Sequence, residues 1–242
     1  MEDLHSHLLF GIDDGTKSME ESIAILKKME SMGIEELVLT PHYVENTKYN
    51  WNNINKIRLY QTLMAKVEEE DIKIKLYLGN EVFITPNIVK LIEMEEIASI
   101  NNSRYVLIEF PLKQIYNNTS LIISDMVSHG YTPILAHPER YEEFQEHPEI
   151  VEEYLKMGVL LQGNFTSLFG KYGKASEKTL KYFLKNKWIS FLGSDTHHEY
   201  SYEVKKLEKK LYKITKDRQY IEDLLHNNFD KVINDQDITM IR

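Results

Sequence analysis

The chain alternates short apolar runs with longer segments in which apolar residues recur at helical spacing. The apolar runs are three to five residues long, and glycine, proline or polar residues bound them, as expected for buried strands. Strands that alternate with helices build a mostly parallel sheet with helices packed on its faces. The pattern therefore predicts an α/β fold with strands near 3–5, 37–39, 74–78, 106–108, 133–136, 159–161 and 189–192.

The segments between the strands carry helix start and stop signals. Ser18 and Glu21 have the spacing of a capping box, and Gly33 can end the helix in a left-handed conformation. Residues 44–53 are polar and aromatic and predict a loop over the strand ends. No repeat, linker or low-complexity tract interrupts the pattern, so we predict a single domain over 1–242. Further helices are predicted over 54–70, 86–94, 119–129, 148–157 and 176–186 and from about 202 onward.

Composition narrows the function classes. The 242 residues include no cysteine, which excludes disulfides, thiolate metal sites and a cysteine nucleophile and fits a cytoplasmic location. The formal net charge of -9 argues against nucleic acid as a partner, because nucleic-acid binding needs a basic face. No run approaches the roughly 18 apolar residues that membrane insertion requires. A phosphorylated substrate stays open, since bound metal ions can reverse the local field.

Residue types that bind metals follow most of the predicted strands. His5 and His7 are two apart and would point to the same face of an extended segment. Because the carboxyl ends of parallel strands meet at one rim, these side chains should gather there. Each one alone is more often a cap or a solvated loop residue, but their shared position favours a metal site. The candidate ligands are His5, His7, His42, Glu81, Glu109, His137, Asp195 and His197, with Asp14 added by the turn at 11–15.

The ligand chemistry predicts the class of metal and of reaction. Imidazole nitrogens mixed with carboxylate oxygens, without sulfur, suit manganese, iron or zinc better than calcium. About nine ligands are too many for one ion and suit two or three. Clustered divalent ions commonly act on phosphate esters. Arg140, three residues after His137, carries a guanidinium fork well shaped for a phosphate, and the alternative for it is a surface salt bridge.

Several segments resemble the polymerase and histidinol phosphatase (PHP) superfamily. The H-x-H and D-x-H pairs at 5–7 and 195–197 mark the superfamily. The Gly-Ile-Asp-Asp-Gly segment at 11–15 and the His-Pro-Glu-Arg-Tyr segment at 137–141 resemble one branch of it. That branch comprises the manganese-dependent protein-tyrosine phosphatases of bacterial capsule and exopolysaccharide clusters (CpsB/CapC-like). The matching segments occur in order between residues 3 and 197.

The resemblance implies a distorted (β/α)7 barrel, similar to a TIM barrel, with three metal ions at the C-terminal ends of the strands. Manganese is the implied metal, with iron, zinc or magnesium as alternatives. Asp3 would orient an imidazole, Arg140 would bind phosphate, and a metal-bridged hydroxide would hydrolyse phosphotyrosine without a covalent enzyme intermediate. The implied ligand sets are His5, His7 and Asp195 for one ion, bridged by Glu81 to a second ion with Glu109 and His137, and Asp14, His42 and His197 for a third.

The resemblance also implies a partner and leaves alternatives. The partner would be a phosphotyrosine-containing protein, namely the C-terminal tail of a tyrosine autokinase that regulates capsular polysaccharide synthesis, and the chain could oligomerise. The family places a second phosphate-binding arginine after its D-x-H pair, whereas Tyr202 stands near that position here, with Lys205 and Lys206 following. One alternative is a phosphoesterase for a small molecule such as histidinol phosphate. The other is a weakly active regulator that binds phosphotyrosine.

Overall fold

A ring of parallel strands forms the centre of the molecule. The computed structural model describes residues 1–238. Within that range, one sheet has the order β1-β2-β4 and a second has the order β3-β5-β6-β7-β8-β9, and every pairing is parallel. The strands are β1 (Glu2–Asp3), β2 (Glu36–Leu39), β3 (His42–Tyr43), β4 (Lys75–Leu78), β5 (Glu81–Phe83), β6 (Tyr105–Glu109), β7 (Thr132–Ala136), β8 (Leu160–Asn164) and β9 (Phe191–Gly193).

Backbone hydrogen bonds outside the named strands link the two sheets at both edges. On one side, β2 and β3 are two parts of one chain path, as are β4 and β5, and the amide of Gly79 donates to Leu39 between the parts. On the other side, Ser6 and Thr196 form a parallel bridge, and the amide of His7 donates to Thr196. The seven strand positions therefore follow one another around a distorted (β/α)7 barrel, as predicted.

Most helices lie where helical spacing predicted them, with bounds that differ by a few residues, whereas the helix Glu142–Glu146 was not predicted. Ser18 accepts a hydrogen bond from the amide of Glu21, and Gly33 ends the first helix with φ 99°. The region predicted at 148–157 divides into a 3-10 turn, Pro148–Ile150, and a short helix. The helices are α1 (Met19–Met32), α2 (Asn53–Glu69), α3 (Ile88–Glu93), α4 (Thr119–Ser128), α5 (Glu142–Glu146), α6 (Val151–Lys156), α7 (Gly173–Lys185), α8 (Val204–Thr215), α9 (Arg218–Glu222) and α10 (Asn228–Ile233).

Two apolar clusters fill the structure and leave one end of the barrel for polar groups. The larger cluster packs the helices on the outside of the strands, whereas a smaller one includes Leu107 and Ile134 from the opposite faces of their strands. Phe229 and Val232 of α10 join this inner cluster, and Phe229 contacts Tyr77 with ring centroids 5.8 Å apart. The C-terminal helices therefore cover the N-terminal ends of the strands, and the C-terminal ends remain for the site.

Two of the predicted strands are interrupted, and the chain continues in a further short strand beyond each interruption. His42 and Glu81 were predicted to follow their strands, but each begins a further short strand, β3 or β5. Pro41 has no N–H to continue the first ladder, and the side chain of Asn80 donates to the Pro41 carbonyl at 2.8 Å. The breaks place both metal-ligand types on the rim while the chain path continues beyond them.

Within residues 1–238, no helix is both long and apolar enough to cross a lipid bilayer. The single domain over 1–242 stays a prediction, and residues 239–242 lie outside the part that the structure describes.

Candidate metal centre

Four of the predicted ligands converge where the first segment meets the last strand. The Nε2 atoms of His5 and His7 lie 3.0 Å apart. Each is 3.3 Å from Oε2 of Glu81. Oδ1 of Asp195 lies 3.6 Å from the His5 nitrogen and 3.5 Å from the His7 nitrogen. All four side chains are buried, so these atoms form one compact donor set away from bulk water.

The second carboxylate oxygen of Glu81 faces a neighbouring group. Oε1 of Glu81 lies 2.8 Å from Nε2 of His137. The same imidazole nitrogen is 3.7 Å from Oε1 of Glu109. Because Glu81 directs one oxygen to each group, its carboxylate has the geometry of a bridge between two adjacent ions.

A third group lies nearer to solvent. Oδ1 of Asp14 is 3.5 Å from Nε2 of His42 and 3.6 Å from Nε2 of His197. His7 shares this neighbourhood, since one ligand atom of each of these four residues lies within 4.8 Å of the others. The other ring nitrogen of His42 is 3.0 Å from Glu81. The structure thus brings all nine predicted ligands to one rim, and it places His7 and His42 between groups rather than in one set each.

Two residues that the sequence analysis did not select hold the buried imidazoles in place. Nδ1 of His5 lies 2.8 Å from Oε1 of Gln162, and Nδ1 of His7 lies 2.8 Å from Oδ2 of Asp13. Asp3 was predicted to orient an imidazole. Its carboxylate instead accepts from the backbone amides of His5 at 3.2 Å and Ser194 at 2.9 Å. Asp3 therefore joins the first segment to the last strand, and Asp13 and Gln162 orient the rings.

These hydrogen bonds provide a test of whether the site fits a cation. Carboxylate and amide oxygens only accept, so His5 and His7 carry their hydrogens on Nδ1. When both rings are neutral, two Nε2 lone pairs lie 3.0 Å apart. Two lone pairs at that separation repel unless a proton or a metal ion lies between or beside them. Imidazole nitrogens and carboxylate oxygens are donors that divalent transition metals accept, so the residues present fit such ions.

The two carboxylate oxygens of Asp195 contact different sets of residues. Oδ1 faces the histidines, whereas Oδ2 accepts from Nη1 of Arg140 at 2.9 Å, from Nδ2 of Asn164 at 2.8 Å and from the hydroxyl of Tyr172 at 2.9 Å. The residue adopts φ 52°, and His137 adopts φ 36°. Non-glycine residues rarely occupy this left-handed region except where the surroundings enforce it, often at functional sites.

A further buried carboxyl supports the strand end that carries Asn164. Oε1 of Glu139 accepts from the backbone amide of Asn164 at 3.0 Å and from the hydroxyl of Ser167 at 2.7 Å. Burial raises the pKa of Glu139 to about 7. Its place in the His-Pro-Glu-Arg-Tyr segment was the available signal, although only the flanking histidine and arginine were predicted as site residues.

Burial and neighbouring charges shift the acid–base equilibria of the ligands themselves. Burial and the nearby Glu81 carboxylate raise the pKa of Glu109 to about 8. Burial and the Arg140 guanidinium lower the pKa of His137 to about 4. Burial also opposes ionisation of Glu81, but the facing imidazoles outweigh it and hold its pKa well below the usual range. At neutral pH the middle of the site therefore pairs an ionised carboxylate with a neutral imidazole.

A cavity of about 410 Å³ opens over the three groups. Arg140 and Lys171 line this cavity together with ligands of the second and third groups. Tyr202, which stands near the position expected for a second arginine, packs instead against Phe165 and Phe169, with ring centroids 5.8 and 5.2 Å apart. The residues that line the cavity are Asp14, His42, Glu81, Glu109, His137, Arg140, Lys171, Tyr172, Asp195, His197, His198 and Glu199.

A parallel barrel with imidazoles and carboxylates at the C-terminal rim defines a metal-dependent hydrolase of the TIM-barrel-like type. The histidinol phosphate phosphatase of Lactococcus lactis shares this fold, with a TM-score of 0.57 at 17% identity over 89% of this chain and 92% of that one. The chain belongs to the CpsB/CapC family of capsular polysaccharide synthesis, which matches residues 1–234. The predicted membership of this branch is thereby confirmed.

Individual relatives agree with the family assignment. CapC of Staphylococcus aureus is 35% identical over 198 residues, which cover 81% of this chain and 77% of the relative. A crystal structure from work on YwqE of Bacillus subtilis and CpsB of Streptococcus pneumoniae, described as unique metal-dependent tyrosine phosphatases, has a TM-score of 0.91. Its identity is 25%, and the match covers 99% of this chain and 96% of the other.

Proposed function

We propose that this protein is a metal-dependent protein-tyrosine phosphatase that hydrolyses phosphotyrosine. The observation that carries the proposal is the convergence of nine nitrogen and oxygen ligand residues beside Arg140 and below an open cavity. The described similarity to metal-dependent tyrosine phosphatases over nearly the whole chain supports the same activity. The absence of cysteine agrees with a reaction that needs no thiolate nucleophile.

The three groups of ligands support three divalent ions, and manganese is the proposed metal. His5, His7 and Asp195 would hold the first ion, and Glu81 would connect it to a second ion held with Glu109 and His137. When bound, such ions supply Lewis acidity toward phosphoryl oxygens and lower the pKa of water at the site. The third ion would be held by Asp14, His42 and His197.

The remaining residues of the chain prepare the site for a phosphate ester. Arg140 reaches the cavity while one of its nitrogens donates to Asp195, so its position is fixed before substrate arrives. Tyr172 also supports it, since the guanidinium carbon lies 4.4 Å from the ring centroid. A fixed guanidinium can donate to two phosphoryl oxygens at little entropic cost. Asn164 and Tyr172 keep Oδ2 of Asp195 occupied and so leave Oδ1 for the metal.

The proposed biological substrate follows from the family. We propose the phosphorylated C-terminal tail of a tyrosine kinase that regulates capsular polysaccharide synthesis, on the basis of the family. The open cavity admits a side chain that projects from a flexible peptide. A cytoplasmic location and an oligomeric state stay predictions.

A substrate comparison tests the proposal. The protein, purified without chelator and supplied with Mn²⁺, should release phosphate from a phosphotyrosine peptide and much less from a phosphoserine peptide or from histidinol phosphate. His7→Ala should abolish release, because it removes a nitrogen shared by two groups. His129→Ala, which changes an exposed histidine at the end of α4, is the matched control. Activity on histidinol phosphate without activity on the phosphotyrosine peptide would favour the small-molecule alternative and overturn the proposal.

A further inference from the structure

We propose that Lys171 is a second phosphate-binding residue, which acts beside Arg140 on the same phosphoryl group. The inference rests on the proposed phosphatase function and names a residue for which the sequence analysis gave no role. Lys171 follows a left-handed glycine, Gly170 with φ 87°, that turns the chain after the 3-10 segment Phe165–Phe169. This turn brings its side chain to the cavity over the ligands.

The two cations share one aromatic support. Nζ of Lys171 lies 5.2 Å from the centroid of the Tyr172 ring, and the guanidinium carbon of Arg140 lies 4.4 Å from the same centroid. Both also contact Asp195: Arg140 donates to its carboxylate, and Lys171 donates to its backbone carbonyl at 3.3 Å. The ring and Asp195 thus place two positive charges on one wall of the cavity.

The charges around the cavity explain why one cation is too few. Five acidic side chains line it, Asp14, Glu81, Glu109, Asp195 and Glu199, and those that are ionised oppose the approach of a phosphate ester. Metal ions would offset the charge on the ligand side, but the phosphoryl group presents several oxygens, and those that face away from the ions need other donors. Arg140 and Lys171 are the lysine or arginine side chains that line the cavity in the part of the chain that the structure describes.

The contacts of Lys171 leave it free to turn toward a substrate. Its hydrogen bond goes to a neutral carbonyl and is long, so exchange for a phosphoryl oxygen replaces a weak bond by a charge-assisted one. Other lysines near the D-x-H segment do not reach the cavity. Lys206 pairs with Glu203 at 2.8 Å, and Lys205 lines a different cavity beside Met1.

The test separates phosphate binding from support of the metal centre. With Mn²⁺ and a phosphotyrosine peptide, Lys171→Met should raise KM and the inhibition constant of inorganic phosphate about tenfold each, as expected for the loss of one charge-assisted hydrogen bond. Because Lys171 touches no ligand side chain, kcat and the bound manganese per chain should stay near wild-type values. Lys171→Arg should keep most of the phosphate affinity. Lys174→Met, which changes an exposed lysine in α7, is the matched control.

Three results would contradict the inference in distinguishable ways. Unchanged KM and phosphate inhibition in Lys171→Met, with an active wild type, would show that Lys171 does not bind phosphate. Loss of manganese together with kcat would mean that it acts through Asp195 instead, which also overturns the inference. The third result is a wild-type protein that is inactive but binds inorganic phosphate, together with weaker phosphate binding by Lys171→Met. It would refute the proposed phosphatase function but leave the phosphate-binding role of Lys171 supported.

Discussion

Replacing Asp13 by asparagine changes the charge that orients His7 while it keeps the size of the side chain. Asp13 is buried, and its two oxygens serve three donors. Oδ2 accepts from Nδ1 of His7 at 2.8 Å and from the backbone amide of His42 at 3.0 Å, and Oδ1 accepts from the amide of Gly15 at 2.9 Å. An amide group has one oxygen for these three donors, so at least one donor loses its acceptor.

The expected magnitude follows from the better of the two amide orientations. If the oxygen takes the position of Oδ2, His7 and His42 keep an acceptor, and the amide nitrogen faces the N–H of Gly15. That unpaired donor destabilises the fold by about 1–3 kcal/mol. The bond to His7 also loses its charge assistance, which roughly doubles the strength of such bonds. Mutation of the hydrogen-bond partner of a metal-ligating histidine typically lowers metal affinity about 10- to 100-fold. The affinity of Asp13→Asn for Mn²⁺ should therefore be lower than that of the wild type by this factor.

Two measurements keep these effects apart. Thermal or denaturant unfolding in the presence of a chelator reports the cost to the fold alone, and titration with Mn²⁺ on folded protein reports affinity. Asp125→Asn, an exposed aspartate in α4, serves as the control. Manganese affinity in Asp13→Asn within about twofold of wild type would refute the claim that this carboxylate prepares His7 as a ligand. Reduced stability alone would then be its whole role.

Two further changes test the backbone and the buried charge near the site. Gly15→Ala should destabilise the fold by about 3 kcal/mol or more, because a Cβ would lie 1.9 Å from the carbonyl oxygen of His7. Gly158→Ala, where a Cβ meets no atom within 4 Å and only the left-handed φ of 92° is unfavourable, should cost about 1–2 kcal/mol in the same denaturant titration. Burial lowers the pKa of Lys56 to about 7, so between pH 7 and about 10 the unfolded chain binds a proton that the folded chain does not. The free energy of unfolding should therefore rise with pH across that window; Lys56→Met should flatten the slope, and an unchanged slope would contradict a buried, neutral lysine.

The sequence predicted the strand positions because their signals are local. Most strands are short apolar runs between turn residues, and a helix such as α1 has apolar residues at helical spacing, a capping serine and a terminal glycine. The breaks after β2 and β4 were missed because they depend on contacts between distant residues. Asn80 accepts from the buried Lys56 and from the amide of Ala98, and it donates to Pro41, so three separate segments fix that corner. No window of sequence shows that a lysine in α2 is aimed at a strand break 24 residues later.

The metal-ligand residues could be predicted from the sequence, whereas the residues that orient the imidazoles could not. Histidines and carboxylates at the ends of parallel strands share a rim by topology alone, so residue type and strand position suffice. Gln162 offers no such signal, because a polar residue within β8 is indistinguishable in sequence from one that satisfies a backbone group. Its partner His5 lies 157 positions away. Asp13 was overlooked beside Asp14, since sequence does not show which of two adjacent carboxylates turns inward.

The hydrogen bonds of the chain decide which atoms can bind a metal. In Asp195, three donors occupy Oδ2 and leave Oδ1 facing His5 and His7, so this carboxylate can offer one oxygen. In Glu81, the two oxygens face different groups, so one carboxylate can serve two ions. Such assignments require that donors around the site be held by the fold before the ion arrives, because a free carboxylate would rotate between the two modes. Arg140 and Tyr172 therefore have a role besides contact with the phosphate. By donating to Oδ2 of Asp195, they fix the orientation of a carboxylate that would bind a metal ion, so a change in the substrate-binding wall would also change the metal site.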